Sequence, residues 1–103
     1  MSVYSISELN KYLKTLLSFD QVLQDLWVKG QIGTFTKAPS GHSYFTLRDS
    51  NSTINCVMFQ GTFSGVNELE TGMSVVAHGR VAIYEPRGQL QMIIDVIQPE
   101  GVG

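Results

Sequence analysis

The chain has 103 residues and 43% apolar side chains, which sizes it for one domain with one modest core and excludes a disordered segment. Its net charge of −2 excludes a strongly basic protein that grips polyanions by charge alone. The single cysteine, Cys56, excludes an internal disulfide and a cysteine-rich zinc site.

The elements follow in chain order. Ser5-Ile6-Ser7-Glu8 fits a capping box, with Ser5 as N-cap and Glu8 three positions on. Leu9, Tyr12, Leu13, Leu16 and Leu17 follow at helical spacing, so a helix packed on the domain is expected. Residues 18–25 read as a turn or a short second helix. From Leu26 the period drops to two, and Leu26 to Ile32 reads as a strand. Gly30 and Gly33 within this stretch suggest a bulge or sharp bend. Residues 36–43 hold Pro39, Ser40 and Gly41 and read as a loop. Residues 44–48 and 53–59 form a hairpin about a tight turn at 49–52. A non-strand segment, expected to be a short helix, spans 61–70. A fourth strand covers 73–84, Glu85-Pro86-Arg87-Gly88 turns the chain, and a fifth strand covers 89–97. Cys56, in the apolar run Cys56-Val57-Met58-Phe59, reads as a small buried hydrophobe rather than a reactive thiol.

This order predicts a mainly β fold. It is a five-stranded OB-fold barrel with an amino-terminal α-helix and a short helical segment between strands 3 and 4. An SH3-like barrel is the alternative, but it has no helical insert at that place. The boundaries are 1–25 for the helical segment, 26–99 for the barrel and 100–103 for the start of a linker. No apolar run is long enough to span a bilayer, and the first residues lack the features of a signal peptide. A cytoplasmic protein is expected.

The period of two also sorts the strand side chains. Val28, Ile32, Phe45, Leu47, Ile54, Cys56 and Met58 are expected inside. The outer face of the first three strands then shows Lys29, Gln31, Tyr44, Thr46, Arg48, Asn55, Val57 and Phe59. Rings that stack bases, cations that follow phosphates and amides that bond base edges are what a single-strand binder needs. On pattern alone the alternatives are a protein-partner face or a face covered by the first helix, and a slip of one residue would reverse it. The flanking loops add Lys37 and His42 on one side and Arg87 on the other. The acids Glu8, Asp20, Asp25, Glu68, Glu70 and Glu100 fall in helices or near the ends, which leaves the strands mildly basic.

No catalytic constellation is apparent. No nucleophile-elbow pattern surrounds Ser40, and His42 and His78 have no ligand spacing with Cys56 or with a carboxylate cluster. No phosphate-cradling glycine motif occurs. The expectation is a binding module without catalytic residues, metal or cofactor.

The run Ser40-Gly41-His42-Ser43-Tyr44-Phe45-Thr46-Leu47-Arg48-Asp49 resembles a signature of the amino-terminal OB domain of the exonuclease VII large subunit. Ser5 to Asn10 is similar to that family's opening helix and Trp27 to Ile32 to its first strand. Cys56 to Phe59 and Ile83 to Gln91 are similar to its third strand and its fourth-to-fifth turn. The resemblance implies a bacterial cytoplasmic hydrolase that degrades single-stranded DNA to oligonucleotides. In it this domain would capture single-stranded DNA for a catalytic domain that lies beyond this stretch. It also implies small-subunit partners, bound through regions outside the chain. A protein-interaction module and an RNA-binding OB module are the other readings.

Overall fold

The amino-terminal helix begins where its capping box predicts. Ser5 Oγ accepts from the Glu8 backbone N–H at 3.0 Å, and Glu8 Oε1 accepts from the Ser5 N–H at 3.1 Å. These bonds hold the Glu8 carboxyl below its usual range. A computed structural model describes residues 1–62 and 69–101 of the chain. Its elements are α1 (Ile6–Ser18), β1 (Leu26–Lys37), β2 (Ser43–Arg48), β3 (Thr53–Met58), β4 (Ser74–Tyr84) and β5 (Gln89–Pro99). Residues 20–25 are turns, not a second helix. Most of the short helix expected at 61–70 falls on residues 63–68, outside the described residues. The short helical piece that is described comes later, as a 3-10 turn at Glu85–Arg87.

The five strands close into a barrel in the order β1-β2-β3-β5-β4. This is the architecture expected from the sequence. β1 serves both halves: residues 26–31 pair with β4, and residues 31–37 pair with β2. Between Ile32 and Phe35 its register shifts, which bends the strand and reverses the parity of its side chains. Asp49 shapes the β2–β3 hairpin by accepting from the N–H groups of Asn51 and Ser52 at 2.8 and 2.9 Å. The interior is filled by Ile32, Phe45, Leu47, Cys56, Met58, Val75, Ala77, Met92, Ile94 and Ile97, with Phe35 packed against them. Burial pushes the Cys56 thiol up to about 12, so it behaves as a core hydrophobe.

β4 comes closest to its neighbour at Gly79. The register with β5 shifts between His78 and Gly79, and a Cβ at Gly79 would overlap the backbone carbonyl of Ile93. Only a residue without a side chain lets the two backbones meet there.

α1 packs on β4 and on the 3-10 turn. Asn10 Nδ2 donates to the Glu85 carbonyl at 2.9 Å, and Leu13 and Leu17 are half-buried. Leu9, Tyr12, Leu16 and Phe19 form a second stripe that stays exposed. The helix therefore does not cover Tyr44 and Phe59, which keep 48% and 45% exposure. Among the described residues, no helix is long and apolar enough to cross a membrane.

His78 ties the turn before β1 to the sheet. Its Nε2 lies 2.5 Å from Asp25 and its Nδ1 lies 2.7 Å from Asp95, with the Trp27 ring centroid 5.0 Å away. Asp25 first, and Asp95 second, make the folded protein hold the His78 proton more tightly than an unfolded chain does. That stabilisation is fully present below the unfolded value of about 6.5 and is lost as pH rises through the raised folded value. Thermal melts at pH 5.5 and pH 9 should show the parent's advantage over His78→Gln shrinking at the higher pH. A gap that does not change with pH would exclude the charged pairing.

Candidate nucleic-acid interface

Barrel closure brings β5 beside β3, and the β4–β5 turn then faces the β2 strand across a groove of about 530 Å³. One wall carries Thr34 and Thr36 from β1, Tyr44 and Thr46 from β2, and Asn55 from β3. The other carries Tyr84, Arg87, Gln89, Leu90 and Gln91, while Phe45 and Cys56 reach its floor. Tyr44 and Tyr84 are each 48% exposed. Arg87 is the one charged side chain among the described lining residues. The neighbouring acid, Glu85, is paired with Lys14 at 3.0 Å.

Each surface follows from its local sequence. The β2 alternation buries Phe45 and Leu47 and leaves Tyr44 outward. Thr46 Oγ1 accepts from the Thr34 N–H at 3.0 Å, which bridges β1 and β2 beside the register shift. The 3-10 turn ends at Gly88 with φ 61°, which leaves Arg87 exposed at the tip beside the groove. Asn55 and Gln91 are register partners across the parallel β3–β5 pairing, so two amides stand side by side.

Of the residues marked in the sequence, Tyr44, Thr46, Asn55 and Arg87 come together in this groove. Lys37 is exposed at the end of β1, and His42 and Phe59 lie beside it at the loop, edge to face at 5.3 Å. Lys29 and Arg48 do not line the groove. They border a second cavity of about 280 Å³, floored by Leu26, Val28, Leu47 and Ile54. Gln31 is occupied at that end, donating to the Gly72 carbonyl at 3.1 Å and accepting from Arg48 at 3.3 Å. Lys29 and Gln31 lie on the stretch of β1 that pairs with β4, before the register shift, and beyond the shift Thr34 and Thr36 face the groove where simple alternation would have put Gly33 and Phe35.

Val57 is a correction. It was expected outward, and it is 3% exposed. Its in-register neighbours are Tyr44 on β2 and Ile93 on β5, and a branched side chain flanked by two large ones loses its contact with solvent. It is also absent from the interior cluster, so it packs on the outer side of the sheet beside these neighbours.

Sequence reasoning missed Thr34, Thr36, Tyr84, Gln89, Leu90 and Gln91. A signal for part of this set existed. Met92 and Ile94 are inward, so the same alternation puts Gln89 and Gln91 outward beside Arg87. Among the described residues, no group of three or more His, Cys, Asp or Glu side chains is placed to hold a metal ion.

Residues 4–98 match the family model described as OB-fold nucleic acid binding domain. The exodeoxyribonuclease 7 large subunit of Alkaliphilus oremlandii is 45% identical over 96% of this chain and 24% of its own length. That of Geobacillus kaustophilus is 44% identical over 96% of this chain and 22% of its own length. The chain thus spans about a quarter of the curated relatives it matches. Among solved structures, a chain of a replication protein A heterotrimer bound to single-stranded DNA superposes with a TM-score of 0.62. It is 10% identical and covers 75% of this chain and 57% of its own. Entamoeba histolytica asparaginyl-tRNA synthetase superposes at 0.64, with 19% identity over 84% of this chain and 23% of its own. At such identities the likeness is one of fold.

Proposed function

The chain belongs to the OB-fold nucleic-acid-binding domain family, and from that premise we propose that it binds single-stranded DNA in the groove between β2–β3 and the β4–β5 turn. We further propose that it serves as the strand-holding part of an exodeoxyribonuclease large subunit in the bacterial cytoplasm. The relatives named for that activity, at 45% and 44% identity, support this reading. Hydrolysis and small-subunit contacts would then belong to the remaining length of such proteins.

The observation that carries the proposal is the composition of the groove. Two exposed tyrosines stand in one channel whose other polar groups are threonine hydroxyls and side-chain amides, with Arg87 at its edge. Aromatic rings stack on a base only when that base has an open face, which a duplex does not offer. Hydroxyls and amides bond base edges without demanding one sequence. With few cations, the grip comes more from stacking than from phosphate neutralisation.

Titration with single-stranded DNA, single-stranded RNA and duplex of equal length tests this. The single DNA strand should bind best. Tyr44→Ala should weaken it by about 1–3 kcal/mol, the worth of one base–ring stack. Its melting temperature should fall only slightly, since the cross-strand pair that Tyr44 makes with Val57 is worth about 0.2–1 kcal/mol. Parental affinity in the Tyr44→Ala protein would refute the groove, and stronger binding to RNA would reassign its substrate.

A further inference from the structure

His42 was expected to touch the ligand, but its Nδ1 is already used. The Gln60 backbone N–H donates to it at 2.8 Å. A ring nitrogen that accepts carries no proton, so the proton of the neutral ring sits on Nε2. The β2–β3 ladder ends at the pair Ser43 and Met58. One step further, His42 and Phe59 meet edge to face at 5.3 Å. The bond to Gln60 is thus a side-chain rung that continues the ladder where the backbone has left it, and it gives the Gln60 N–H a partner.

The same contact holds the β1–β2 loop. Within the loop the Ala38 N–H donates to the His42 carbonyl and the Gly41 N–H to the Ala38 carbonyl, both at 2.9 Å. Gly41 has φ 92°, and the Gln60 side chain occupies the space where a Cβ would stand. Ring, backbone and side chain therefore lock the loop onto the end of β3. Inward from the loop come the cross-strand pairs Lys37 with Ser43 and then Thr36 with Tyr44, and Thr36 and Tyr44 both line the groove.

We propose that His42 is a positioning residue: through Nδ1 it fixes the β1–β2 loop on β3 and so sets the wall that carries Tyr44. The assignment rests on the groove being the single-strand site. Its chemistry separates it from a direct contact. Asparagine places an acceptor where Nδ1 stands, and glutamine places its amide where Nε2 stands. A clamp is restored by the first, and a phosphate or base contact through Nε2 by the second.

The test compares His42→Ala, His42→Asn and His42→Gln by single-strand titration and by amide exchange of Gln60 in the free protein. His42→Ala and His42→Gln should bind roughly fivefold more weakly, the effect of one lost hydrogen bond, and should exchange the Gln60 amide faster by a similar factor. His42→Asn should restore both. Restoration by glutamine in place of asparagine overturns the proposal while leaving the groove intact, as does fast Gln60 exchange with parental affinity. If the parent binds no single strand, the groove reading fails by itself. The exchange data then decide the clamp alone: slow Gln60 exchange in the parent and His42→Asn proteins supports it, and exchange equal to that of His42→Ala overturns it.

Discussion

Truncating Phe45 to alanine should cost the barrel about 3–5 kcal/mol and leave it largely unfolded at 37 °C. Phe45 is 3% exposed and sits in the middle of the β2 ladder, paired with Phe35 on one side and Cys56 on the other. Its ring centroid lies 6.1 Å from that of Phe35. Removing it opens a void that the surrounding strands, bonded on both sides, cannot collapse to fill. Thermal and urea melts measure the loss. A cost below about 1 kcal/mol would mean that the ring does not fill the interior, and would reverse the face assigned to Tyr44 as well.

Gly79→Ala should be nearly as damaging, at about 3 kcal/mol, for the opposite reason. Here a methyl group is added where the Ile93 carbonyl already stands. The obstacle is backbone, so no rotamer change relieves it, and β4 and β5 must separate where their register shifts. Urea midpoints for parent and variant give the cost. Fast amide exchange confined to the neighbouring rungs would locate it. An alanine variant as stable as the parent would show that the two strands are not in this register.

The fold was legible because its signals are local. Ser5 and Glu8 mark the helix start, the alternation from Tyr44 to Arg48 marks a buried and an exposed face, and Asp49 marks the hairpin turn. The candidate site was legible in part for the same reason. Tyr44, Thr46 and Asn55 follow from alternation, and Arg87 from its turn. Lys29 and Gln31 keep the expected parity because they precede the register shift, whereas Thr34 and Thr36 escaped notice because the shift reverses parity beyond Ile32, and sequence shows a glycine near the shift without its consequence. Tyr84, Gln89 and Gln91 join the groove only through the pairing of β5 with β3, a contact between distant stretches that no local period encodes. Val57 has the right parity, and its burial depends on which side chains the neighbouring strands place beside it.

That β3–β5 pairing is parallel and three residue pairs long, from Asn55 with Gln91 to Val57 with Ile93. With the β1–β4 pairing, it closes the barrel. The β1–β2, β2–β3 and β4–β5 hairpins join neighbours in sequence and can form on microsecond scales, of order 1–10 μs each. The seam must instead wait until the chain between β3 and β5 has been gathered in, at the entropic cost of a long loop. Folding should therefore be limited by closure, in the milliseconds-to-seconds range of domains built on distant pairings. Asn55 and Gln91 would be among the last residues to find each other, and the groove they share would form only when the barrel is complete.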